Sequence, residues 1–156
     1  MTKLIKTNRE GAKEYLASTS NGTIIIGDTG VGKTTLVKHY ERMVSATILS
    51  MEFQSEGIEG VKNRINNQIH LQGNVVVIDD LGAEEDVKHF GNGLCPIRYT
   101  VQAIYDINQR TSQNTKLIFT TNLNKEELTV KYGLRVVERI WEMCDRLVIN
   151  DTNLRN

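Results

Sequence analysis

Proline is nearly absent from this chain: one of 156 residues, Pro96, carries it. No Pro/Gly-rich linker, low-complexity tract or internal repeat divides the sequence, so one domain is expected over residues 1–156. A chain of this length buries roughly 68–70% of its unfolded surface and needs no staples. Cysteine is scarce as well. Cys95 and Cys144 lie far apart and form no CxxC pair, which excludes a disulfide framework and predicts two free thiols in a reduced, intracellular protein. His39, His70 and His89 are scattered without metal-ligand spacing. Net charge is missing too, because 19 basic residues cancel 19 acidic ones. Without a global basic field, composition gives nucleic-acid binding no support and leaves only a local patch open. No apolar run approaches the ~18 residues of a membrane span, and no signal peptide opens the chain, so a cytoplasmic setting is expected.

What is present begins with the apolar run Thr23-Ile24-Ile25-Ile26, followed at once by Gly27-Asp28-Thr29-Gly30-Val31-Gly32-Lys33-Thr34 and by Thr35. The pattern G-x-x-x-x-G-K-[ST] has physical meaning between a strand and a helix. Its glycines let successive backbone N–H groups turn inward around phosphate oxygens. Lys33 is placed to reach the β- and γ-phosphates, and Thr34 to put its hydroxyl on Mg²⁺. A helix over about 33–44 then aims its positive end at the phosphates. The expected ligands are ATP and Mg²⁺.

The rest of the chain alternates. A short helix is predicted near 8–18 and a core over about 22–150. Strands are predicted at about 23–26, 47–51, 74–78, 116–120 and 146–149. Between them, Ile58, Val61, Ile65 and Ile69 recur at helical spacing, a helix is expected at about 99–110, and one or two more cover about 125–143. The continuous β-branched run Val75-Val76-Val77-Ile78 fits a strand buried on both faces of a parallel sheet. Such alternation means right-handed crossovers and a doubly wound α/β sheet, with the ligand at the carboxyl ends of the strands.

The third strand delivers Asp79-Asp80-Leu81-Gly82. A hydrophobic strand ending in a carboxylate beside a P-loop is that loop's Mg²⁺ partner, which makes Asp79 the metal candidate and Asp80 the residue that orients the attacking water. Two acids after a strand also open ordinary turns. The fourth strand ends Thr120-Thr121-Asn122. Asn122 is placed either to touch the γ-phosphate and the water or to cap the next helix, and Thr120 and Thr121 are likewise either polar groups at the strand tip or ordinary β-branched strand residues. In the last helical region Leu134, Val137, Ile140, Trp141 and Cys144 form an apolar stripe, with Arg135 and Arg139 on the other face. That face is either solvated or supplies an arginine to a neighbour's nucleotide.

Together, GDTGVGKTT, VVVIDDLG, IFTTNL and YGLRVVERIWEMC resemble the AAA+ ATPases of the DnaC/DnaI helicase-loader group and the IstB transposition helpers, from about Gly22 to Ile149. The resemblance implies a three-layer P-loop NTPase with a five-stranded parallel sheet, order 5-1-4-3-2. It assigns Lys33 and Thr34 to Walker A, Asp79 and Asp80 to Walker B and Asn122 to sensor 1. It makes Arg139 the arginine finger with Arg135 second, and puts Arg110 at a subunit interface. It implies Mg²⁺-dependent ATP hydrolysis, slow without a partner, in DNA replication or mobile-element function. The implied partners are a replicative helicase or a transposase and single-stranded DNA, with ATP-dependent self-assembly. Asp80 stands where many relatives have Glu. Three features depart from the group. Only about 20 residues precede the first strand, so a helicase-gripping region is expected to be missing. The chain stops just after the fifth strand, so a helical lid and its sensor 2 arginine are expected to be absent. The connection from Gly82 to Arg98, with Phe90-Gly91-Asn92-Gly93, is long and suits either a partner contact or a plain solvent loop. A small-molecule or nucleoside kinase, and an ATP-binding adaptor with little hydrolysis, remain the alternative readings.

Overall fold

The computed structural model describes residues 2–86, 89 and 93–150. The element order is β1 (Leu4–Thr7), α1 (Arg9–Ser18), β2 (Gly22–Ile26), α2 (Lys33–Val37), β3 (Val44–Ser45), α3 (Ala46–Leu71), β4 (Val75–Leu81), α4 (Pro96–Arg110), β5 (Lys116–Thr121), α5 (Lys125–Tyr132), α6 (Leu134–Met143) and β6 (Cys144–Ile149). The six strands pair in parallel, in the order β1-β6-β2-β5-β4-β3.

Alternation along each strand builds the three layers, because successive side chains leave opposite faces of a sheet. Ile24, Val76, Ile78, Leu117 and Phe119 face α3, α4, α5 and α6 in one core. Ile25, Val77, Ile118 and Leu147 face α1 and α2 in the other. Both faces being covered is what makes the strand sequences near-continuous hydrophobic runs.

Four of the five expected strands occur where expected, and the sheet order is the one the resemblance implies, with two corrections. A sixth strand, β1, pairs with β6 from Leu4↔Arg146 to Thr7↔Ile149. Its short sequence alternates only partly buried positions and lies next to a strand more than a hundred residues away, so no local signal announces it. The strand expected at 47–51 is instead the start of α3. Ser45 caps that helix, its hydroxyl accepting from the Ile48 amide at 3.1 Å, and Ala46, Leu49, Ser50 and Phe53 are buried at helical spacing. The strand itself is reduced to Val44–Ser45. Gly57, at φ 70°, kinks α3, a conformation open to glycine without a Cβ penalty. The helix after the phosphate loop is also shorter than expected, ending at Val37. The N-terminal helix is the predicted one, with the Asn8 side chain accepting from the Gly11 amide at 2.8 Å. Among the described residues no helix is long and apolar enough to cross a membrane, and both cysteines are free.

Candidate functional site

The loop between β2 and α2 lies at the carboxyl end of the sheet. Gly30 (φ 91°) and Gly32 (φ 88°) have left-handed backbones, and Gly32 starts α2 with no side-chain cap on the helix amides. Lys33 is 7% exposed. Its ammonium donates to the carbonyls of Gly27 at 2.6 Å and Asp28 at 2.8 Å, so the charge is folded back onto its own loop. The Thr34 hydroxyl donates to the Asp79 carboxylate, 3.2 Å from Oδ1 and 3.1 Å from Oδ2.

The two acids at the end of β4 have opposite environments. Asp79 is buried and also accepts from the Thr120 hydroxyl at 2.5 Å. Asp80 is exposed, has a left-handed backbone (φ 61°), and donates its amide to Thr120 Oγ1 at 2.8 Å. Asn122, just past β5, donates its amide group to Thr29 Oγ1 at 2.9 Å. The capping alternative for Asn122 falls away, because Asn124 caps α5 in a reciprocal box with Glu127. The Asn-x-x-Glu spacing was the sequence signal for that box. Loop, Asp80 and Asn122 line one open cavity of ≈ 460 Å³.

The residues present fit a magnesium nucleotide. The Thr34 hydroxyl on the Asp79 carboxylate, with the Asp80 carboxylate nearby, forms an all-oxygen set, which suits a hard cation that also takes phosphate oxygens. A buried ammonium resting on loop carbonyls is a charge ready to be exchanged onto phosphate. Thr34 and Asp79 would hold the metal, and Gly27 to Thr35 the phosphates.

Behind the acids, the chain turns at Gly82 (φ 96°) and is pinned by Glu84, which is buried. Its carboxylate accepts from the Gly82 amide at 3.0 Å and from the Tyr132 hydroxyl at 2.6 Å, while Lys131 donates to the Glu84 carbonyl at 2.5 Å. Burial, then the hydrogen bond to Glu84, pushes the Tyr132 phenol far above its ordinary value, so it stays a donor. The YG block thus braces the acid-bearing turn, a role the sequence did not reveal. Part of the long connection, including Phe90, Gly91 and Asn92, lies outside the described residues.

The arginines part company. Arg139 is half-buried, with its guanidinium carbon 3.9 Å from the centre of the Tyr105 ring on α4. Its Nε is buried and has no hydrogen-bond partner among the described residues. Arg135 is exposed, and with Arg98 and Arg110 it lines a groove of ≈ 960 Å³ along α4 that shares no residue with the loop cavity. Arg110 pairs with Asp106 at 3.5 Å. On the stripe of α6, Val137 and Ile140 are buried, Leu134 is 53% exposed, and Cys144 already belongs to β6.

Comparison with solved structures finds this fold in DnaI and in DnaA. The DnaI crystal structure is 21% identical with a TM-score of 0.54, over 90% of this chain and 82% of that one. AMPPCP-bound DnaA from Aquifex aeolicus is 21% identical with a TM-score of 0.53, over 94% of this chain and 46% of that one. Domain III of Thermotoga maritima DnaA is 14% identical with a TM-score of 0.55, over 90% of this chain and 60% of that one. The chain therefore spans most of the DnaI structure but only part of the DnaA structures. No curated protein matches the sequence. A family model described as RNA helicase matches residues 23–123, from the first residues of β2 to just beyond Asn122. With that match over most of its length, the chain belongs to the RNA helicase family.

Proposed function

We propose that this chain is a Mg²⁺-dependent AAA+ ATPase acting on a helicase or another nucleic-acid assembly in DNA replication or mobile-element function. The observation that carries the reading is the convergence of Lys33, Thr34, Asp80 and Asn122 on one cavity, with Asp79 directly behind Thr34. Lys33 would trade the Gly27 and Asp28 carbonyls for β/γ-phosphate oxygens. Asp80, the exposed acid, would orient the attacking water, and Asn122 would report the γ-phosphate to β5. Bound with the nucleotide, Mg²⁺ neutralises phosphate charge. A self-assembling chain would offer Arg135, the exposed arginine of α6, to a neighbour more readily than Arg139, which is stacked on Tyr105. The similarity to DnaI and to DnaA structures supports the replication setting, and one such DnaA is described as bound to AMPPCP and single-stranded DNA.

The test is calorimetry of Mg·ATP binding with wild type and Lys33→Ala, followed by phosphate release with and without single-stranded DNA. The mutant is expected to bind at least tenfold more weakly, because a point charge on the phosphates is lost. Equal affinities in two folded proteins would remove the assignment. The family match favours a second reading, in which the chain itself unwinds a duplex. ATP-dependent strand displacement on RNA and DNA duplexes by the chain alone separates that reading from an accessory role.

A further inference from the structure

Between β4 and β5 the ladder is regular to Ile78↔Phe119 and resumes at Leu81↔Thr121. Two residues of β4, Asp79 and Asp80, therefore stand opposite one residue of β5, Thr120. This is a β-bulge, the device that lets a strand re-aim side chains beside a site. Within the bulge Asp80 takes a left-handed backbone (φ 61°), although it is not glycine. Thr120 is 1% exposed, and its one hydroxyl serves both acids. It donates to Asp79 Oδ1 at 2.5 Å and accepts from the Asp80 amide at 2.8 Å. The first bond fixes the carboxylate that also receives Thr34. The second satisfies the amide of the strained residue.

We propose that Thr120 is a positioning residue: through one hydroxyl it holds Asp79 in reach of a Thr34-bound cation and keeps Asp80 in the bulged conformation that turns its carboxylate to the cavity. The inference rests on the ATPase reading above and deepens it. When a cation draws the Thr34 hydroxyl away from Asp79, the Thr120 bond remains, so the carboxylate does not have to be reoriented as the nucleotide loads.

Two variants separate this role from packing. Thr120→Val keeps the branched shape and loses the hydroxyl, whereas Thr120→Ser keeps the hydroxyl and loses the methyl. ATP affinity is measured by calorimetry in EDTA and in Mg²⁺, together with thermal midpoint and hydrogen exchange of the Asp80 amide in the nucleotide-free protein. For Thr120→Val, affinity in EDTA is expected within twofold of wild type. Its Mg²⁺-dependent gain in affinity should fall about tenfold, the scale of one hydrogen bond to a charged group, and the Asp80 amide should exchange faster. Thr120→Ser should keep the full Mg²⁺ gain and the slow exchange despite a lower midpoint. A packing residue would give the reverse order, with Val benign and Ser impaired, and that result overturns the proposal. Should Thr120→Val not fold, loss of the Mg²⁺ gain in Thr120→Ser overturns it alone. A wild-type chain that binds no ATP in either condition sinks the ATPase reading and the proposal with it. A wild-type chain that responds to Mg²⁺, beside a Val variant that responds equally, sinks only the role of Thr120.

Discussion

Asp79 and Asp80 are neighbours in sequence and opposites in use. Asp79 is 7% exposed and takes two hydroxyl donors, while Asp80 is open to solvent on the cavity rim. Replacing each by its amide should therefore give different failures. Asp79→Asn removes the charge behind Thr34, so ATP affinity should lose its dependence on Mg²⁺. Asp80→Asn should leave affinity within about twofold and slow turnover tenfold or more, since general-base or water-orienting groups contribute about 10²–10⁴. Steady-state phosphate release beside calorimetry distinguishes the two, and wild-type turnover in Asp80→Asn would move the chain toward the adaptor reading. At this scale the motif residues were legible, because G-x-x-x-x-G-K-T is a local pattern with one backbone solution. Thr120 was not. A threonine near a strand end is ordinary, and what its hydroxyl touches depends on the residues across the ladder.

At the scale of elements, α5 and α6 do two jobs. The end of α5 braces the turn after the acids: Tyr132, 1% exposed, donates to the buried Glu84. Tyr132→Phe leaves that carboxylate oxygen short of a donor, at a cost of about 1.5–3 kcal/mol. The thermal midpoint should fall by about 3–12 °C, with ATP affinity in EDTA kept. A calorimetric scan checks it, and an unshifted midpoint would mean that water replaces the phenol. Helix α6 presents Arg135 to solvent and folds Arg139 onto Tyr105. A group that meets charge only in the transition state lowers turnover more than affinity when removed. Arg135→Ala should then lose turnover, and mixing it with Lys33→Ala should restore part of it under assembling conditions, because one mutant keeps an intact pocket and the other an intact arginine. Arg139→Ala should mainly cost stability through its lost stacking. Absence of rescue with wild-type turnover in both arginine variants would leave α6 a packing helix. The apolar spacing signalled a helix here, although Leu134 is exposed and Cys144 opens β6, and which arginine is committed inside the molecule depended on Tyr105 of α4, thirty-four residues upstream.

At the scale of the whole molecule, the added strand β1 is tied to β6 through Asp145. This carboxylate is fully buried and accepts from the Lys3 amide at 2.8 Å, from the Asn21 side chain at 3.1 Å, and from the Tyr15 hydroxyl of α1. Burial by itself would raise the Asp145 pKa, but these hydrogen bonds, that from Tyr15 foremost, hold it below the ordinary Asp value. The same contact, after burial, raises the Tyr15 phenol above its ordinary value. The signs follow from linkage. A depressed Asp145 contributes stability that is complete above the unfolded value, about pH 3.9, and is lost as the pH falls through the lower folded value. A raised Tyr15 contributes stability that is complete below about pH 10 and is lost as the pH climbs through its folded value. Thermal midpoints against pH should be flat between these limits and fall beyond both. Asp145→Asn should flatten the acid limb and Tyr15→Phe should soften the alkaline one. A wild-type slope at low pH in Asp145→Asn would assign the acid limb to other carboxylates.

The sequence by itself determined the α/β class, the glycine loop after β2 and the acid-bearing strand. Each of these is written in a local period or motif: continuous β-branched runs, helical spacing, glycines at fixed offsets from Lys33. The strand order came from the family resemblance, since no local period encodes which strands lie side by side. Tertiary structure decided the rest. Residues 47–51 carry β-branched side chains, yet they are helical because Ser45 caps them and Leu49 and Phe53 meet the core at helical spacing. Strand β1 exists because β6 offers an edge to it. Thr120, Tyr132 and Tyr105 gained their roles from partners thirty-four to forty-eight positions away, Asp79, Glu84 and Arg139. Period and motif record what a residue needs from its immediate neighbours, whereas hydrogen bonds and stacking across elements depend on which distant groups the packed sheet brings within a few ångströms.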